Sequence, residues 1–166
     1  EAAFLNCKSL TDILIPDSIT YINNSTFENC EKLEKIELPK GINYIGEDAF
    51  KGCSLLKNII IPAKVDKIYE GAFGLCANLD YVDFEGSPSY IGNSFYGTGF
   101  YNNIKEDEYG CKYIGTHLIE VVDNKKQYIV IKEGTVSIAR NAFSVGDIRK
   151  VVFSKELKVI GESAFG

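Results

Sequence analysis

The chain has 166 residues, of which 45% are hydrophobic and 12% aromatic, so it can bury a sizeable core and its composition does not indicate disorder. Its formal net charge is −5 and its 18 Lys and Arg residues are scattered along the sequence, which argues against nucleic acid as a partner. No apolar run approaches the roughly 20 residues that span a bilayer, so we expect no membrane insertion in this segment.

The first half of the chain repeats itself every 23 residues. Within each repeat, Leu-x-x-Ile-x-Ile places alternate apolar side chains on one face and predicts a short, one-sided strand. The following Ala-Phe-x-x-Cys-x-x-Leu part has apolar residues three apart, and this spacing predicts a short helical return. A single repeat cannot bury its apolar side chains, so neighbouring repeats are expected to stack into a solenoid. The recurring columns include Phe4, Phe27, Phe50 and Phe73; Cys7, Cys30, Cys53 and Cys76; and Ile22, Ile45, Ile68 and Ile91.

The repeat weakens after Phe95 and resumes further along the chain, where Ile131–Phe143 matches Leu38–Phe50 position for position in length. Between them, residues 110–115 echo residues 41–46. Both ends of the chain fall inside a repeat, without the polar caps that a free solenoid needs. We therefore expect a fragment of a longer protein.

The stretch between these two regular regions has a different pattern. Leu118–Val122 is typical of a strand, where the repeat would place a helical return. We predict that residues 101–126 form an irregular repeat elaborated into a β-hairpin insertion. The prediction for domain organisation is a single repeat domain over residues 1–166.

The repeat resembles those of the BspA-like leucine-rich repeat family, a set of bacterial and some protozoan surface proteins. The motif that carries the resemblance is Leu33-x-x-Ile36-x-Leu38-Pro39-x-x-Ile42-x-x-Ile45-Gly46-x-x-Ala49-Phe50-x-x-Cys53-x-x-Leu56. The expected fold is an α/β leucine-rich repeat solenoid with a parallel β-sheet on the concave face and short helical returns. The resemblance also implies cell-surface or secreted placement and adhesion to host or matrix proteins.

Strand parity predicts a candidate protein-binding face. If the isoleucines of each strand point inward, the residues between them point outward on the concave sheet. Apolar anchors among charged neighbours are typical of protein interfaces, although ordinary solvated strand residues would show the same pattern. The candidate residues are Asp12, Leu14, Lys35, Glu37, Asn58, Ile60, Tyr81, Asp83, Lys150 and Val152.

A second stripe consists of Tyr21, Tyr44 and Tyr90, with Lys67 at the remaining place. These tyrosines could stack on sugars, which makes a glycan a possible partner. The alternative is a tyrosine ladder that covers the core.

The cysteines and the single histidine do not suggest a reactive centre. Four cysteines occupy the same place in successive repeats, so we predict a column of buried thiols without disulfides. Cys111 lies outside this column, and the absence of C-x-x-C spacing argues against a structural zinc site. We expect His117 on the surface of the hairpin. An enzyme would need a cleft lined by His117, Glu120 and Asp123, for which closeness in sequence is the sole support.

The favoured function is a recognition module that binds an extracellular host or matrix protein through the concave face. The alternative is a structural spacer or stalk of a larger surface protein, with no ligand of its own. No cofactor, metal or catalytic residue is predicted, and the chain is not expected to be an enzyme.

Overall fold

The computed structural model describes residues 1–122, 125–143 and 147–166. Contacts divide the chain into two compact units. Unit 1 comprises Glu1–Pro88 and Ser94–Asn103, and unit 2 comprises Ser89–Asn93 and Ile104–Gly166.

Short strands make up almost all regular secondary structure of the described residues. Unit 1 contains β1 (Tyr21–Ile22), β2 (Tyr44–Ile45), β3 (Asn58–Ile61), β4 (Lys67–Ile68), β5 (Tyr81–Phe84) and the helix α1 (Gly99–Asn102). Unit 2 contains β6 (Tyr90–Ile91), β7 (Cys111–Ile114), β8 (His117–Val121), β9 (Tyr128–Val130), β10 (Ser137–Ile138), β11 (Lys150–Val152) and β12 (Val159–Ile160).

Unit 1 has two parallel ladders. Strands β3 and β5 are the predicted Leu-x-x-Ile-x-Ile strands of two repeats, and they pair with Asn58 opposite Tyr81 and Ile60 opposite Asp83. The equivalent segments of the two earlier repeats, residues 10–15 and 33–38, are not strands, so the prediction is wrong there. Strands β1, β2 and β4 form a second ladder of two residues per repeat, with Tyr21 opposite Tyr44. Sequence analysis marked the isoleucine column of this second ladder and missed the strand, because two residues are too short for alternation to be visible.

The predicted helical returns are wrong. Asp48 and Gly52 have φ values of 54° and 73°, so the right-handed helical conformation is interrupted twice within one return. The Phe50 N–H donates to the Ala72 carbonyl of the next repeat at 2.7 Å, while the Cys53 N–H donates to the Phe50 carbonyl at 3.1 Å. Each return is therefore a series of turns bonded to its neighbour. Other pairs with positive φ in unit 1 are Ala2 and Asn6, Ser25 and Asn29, and Gly71 and Leu75.

Stacked side-chain columns form the core of unit 1. Phe27, Phe50, Phe73 and Phe95 are buried and stack face to face, with ring centroids 5.1–5.2 Å apart. The cysteine column is buried beside them at three of its four places, and Cys7 is exposed. Each buried thiol of this column donates to the carbonyl of a phenylalanine 26 residues earlier, at 3.0–3.2 Å. These cysteines are free thiols that satisfy backbone carbonyls.

Unit 2 combines parallel ladders with one antiparallel hairpin. Strands β8, β10 and β12 pair in parallel, as do β9 and β11, and β7 pairs antiparallel with β8. His117 and Leu118 of β8 lie opposite Ser137 and Ile138 of β10. The similarity of residues 110–115 to residues 41–46 predicts Tyr113 and Ile114 at this position of the ladder. The structure places β8 there instead.

The position of His117 corrects the sequence prediction. Its side chain is 4% exposed, where a surface residue of the hairpin was expected. The Nδ1 atom lies 2.7 Å from the Ser137 hydroxyl oxygen, and this buried pair belongs to the β8–β10 ladder. Burial lowers the pKa of His117 from 6.5 to about 4.

Candidate protein-binding face

All ten candidate residues are exposed. Eight of them lie in unit 1, and we call these the unit 1 strand face: Asp12, Leu14, Lys35, Glu37, Asn58, Ile60, Tyr81 and Asp83. Lys150 and Val152 lie in unit 2. The inward parity that underlies the prediction also appears in the structure, since Ile59, Ile61 and Val82 are buried.

Large apolar side chains stand out from the unit 1 strand face. Leu14 is 88% exposed, Tyr81 60% and Ile60 53%. Isolated exposed apolar residues are ordinary on a protein surface, but these three recur at outward places of the repeat. Ile60 and Tyr81 lie on β3 and β5, whereas Leu14 lies outside the strands, at the place equivalent to Ile60. Charged residues separate them, so the face carries apolar anchors within a polar surround.

Two grooves run between neighbouring repeats on this face. One, of about 460 Å³, has Leu14 and Glu37 among its lining residues. The other, of about 320 Å³, is lined by Lys35, Glu37, Asn58 and Ile60 together with Lys40 and Glu85. Four of the eight face residues thus line one concavity, which offers both charged groups and an apolar wall.

The outward residues of unit 2 lie on the paired strands β9 and β11. Lys150 lies opposite Tyr128 and Val152 opposite Val130, and the Lys150 Nζ atom is 5.5 Å from the centre of the Tyr128 ring. At this distance the ammonium group and the ring face attract each other. Tyr128 is 47% exposed, so it is a further candidate that sequence reasoning missed.

The signal for Tyr128 was present in the sequence. Ile131–Phe143 aligns with Leu38–Phe50, and extending that alignment backwards by three residues places Tyr128 at the position of Lys35. The irregular stretch just before it obscured the repeat, because the register has to be carried backwards from Ile131.

The tyrosine stripe is engaged in contacts of its own. The rings of Tyr21 and Tyr44 stack at 5.4 Å with an interplanar angle of 4°, and Tyr69 meets Tyr44 edge-on at 6.1 Å. The Tyr44 hydroxyl donates to the Asn23 side-chain oxygen at 3.4 Å, and Tyr90 is buried. Tyr90 thus covers the core, whereas Tyr21 is 48% exposed and keeps part of its surface accessible.

The residues considered for an enzyme cleft make separate contacts. His117 is paired with Ser137, whereas the Glu120 carboxylate lies 3.9 Å from the Lys112 ammonium. Asp123 lies outside the described residues. Within the described ranges, no group of three or more His, Cys, Asp or Glu side chains is placed to hold a metal ion.

The remaining cysteine, which lies outside the column, is also a buried free thiol. Cys111 is fully buried in the core of unit 2, near Leu118 and Ile129, and this burial raises the pKa of its thiol to about 12. A thiol with this pKa stays protonated at neutral pH and is unreactive.

A known family of repeat proteins matches the repeat along the chain. The model of the BspA type leucine rich repeat region matches residues 1–120 and 93–166, in six copies. The chain belongs to the BspA-type leucine-rich repeat family. None of the curated proteins matches the sequence.

Two solved structures support the fold of this BspA-type repeat protein. A leucine-rich repeat protein from Bacteroides ovatus is 23% identical with a TM-score of 0.57, and the match covers 100% of this chain and 60% of that chain. A leucine rich cell surface protein from Faecalibacterium prausnitzii is 23% identical with a TM-score of 0.55, over 98% of this chain and 44% of that chain. The BspA-type chain is therefore a leucine-rich repeat solenoid that spans about half the length of these relatives.

Helix is confined to the four residues of α1 in the described part of the chain. Among the residues that the structure describes, no helix is long and apolar enough to cross a membrane.

Proposed function

We propose that this BspA-type chain is a non-catalytic recognition segment of a cell-surface or secreted protein, and that it binds an extracellular protein through the unit 1 strand face. The proposal depends on the exposure of Ile60 and Tyr81 on β3 and β5, and of Leu14 at the place equivalent to Ile60 in an earlier repeat. Large side chains held by a rigid sheet lose little conformational freedom on binding, which favours their use as anchors.

The unit 2 residues extend the proposal. Tyr128, Lys150 and Val152 present an aromatic ring, a cation and an apolar side chain on paired strands, which is the same mixture of chemistry. Surface placement is supported by the Faecalibacterium prausnitzii relative, which is a leucine rich cell surface protein.

The test is a binding screen against an array of extracellular-matrix proteins and glycans, with the Ile60→Ala, Tyr81→Ala double variant alongside. The matched control is Leu75→Ala, because Leu75 is 51% exposed but lies in a return and not on the strand. We expect saturable protein capture that the double variant loses and the control keeps. Capture that survives in the double variant would refute the unit 1 strand face.

The screen also addresses the second function considered for this chain. A structural spacer requires a stable stack and no ligand, so it predicts no saturable capture of any array member at micromolar concentration. That result would replace the recognition proposal with the spacer.

A further inference from the structure

We draw no further inference here: the strongest candidate, the surface groove beside β3 where Lys35 and Lys40 lie among Glu37, Glu85 and Ile60, belongs to the unit 1 strand face already described, and nothing in the structure shows what covers it.

Discussion

Lowering the pH is expected to weaken unit 2 through a single side chain, His117. The imidazole is 4% exposed and its Nδ1 atom is 2.7 Å from the Ser137 hydroxyl oxygen. Burial penalises the charged form, which lowers the pKa of His117 from 6.5 to about 4. Protonation therefore favours the unfolded chain, where the imidazole is solvated.

The direction and size of the effect follow from proton linkage. Between pH 6.5 and pH 4 the unfolded state binds more protons than the folded state, so the free energy of unfolding falls as the pH falls. The contribution of His117 is complete above pH 6.5 and is lost by about pH 4. At pH 5, above most of the carboxylate titration, the loss relative to neutral pH is about 2 kcal/mol.

The assay is urea unfolding followed by far-UV circular dichroism at pH 7.5, 6.5, 5.5 and 5.0. A His117→Gln variant keeps a polar side chain and removes the titrating group, so its pH dependence reports all other residues. The native chain should lose about 2 kcal/mol more than the variant between pH 7.5 and pH 5. Parallel losses in the two proteins, or an NMR titration of this lone histidine with a midpoint near 6.5, would refute the reasoning.

Three further predictions concern packing and thiol access. Gly46→Ala would bring a Cβ atom to 2.6 Å from the Asn24 backbone nitrogen, so a loss of about 1–3 kcal/mol is expected in urea unfolding. Gly41→Ala is its control, since the nearest atom is 3.7 Å away and the change should be within about 0.5 kcal/mol. Phe50→Ala removes the middle of the stacked ring column and should cost about 3–5 kcal/mol in the same assay; a smaller loss would contradict its full burial. In Ellman's assay, Cys7 should react quickly in the native chain, and the four buried thiols should react only after unfolding. Fast reaction of more than one thiol in the native chain would contradict the packing.

Much of the candidate face was accessible from sequence because it depends on local parity. Once the inward column containing Ile59 and Ile61 is identified, Asn58 and Ile60 must point outward, and the structure places them so. Tyr128 shows the limit of this reasoning. Its parity is equally simple, but the repeat register has to be carried backwards through an irregular stretch, and the face residue was missed.

Sequence alone determined the repeat, the family resemblance and the inward columns, because a period of 23 residues forces equivalent side chains into the same place in every turn. The tertiary structure decided the path of the returns and the place of His117. Apolar spacing in the return is compatible with a helix, but Phe50 donates its N–H to Ala72 of the next repeat instead of to its own segment. Likewise, whether Tyr113 or His117 joins the parallel ladder depends on which strand meets Ser137. Both outcomes depend on hydrogen bonds between segments about 20 residues apart, so a local sequence pattern does not predict them.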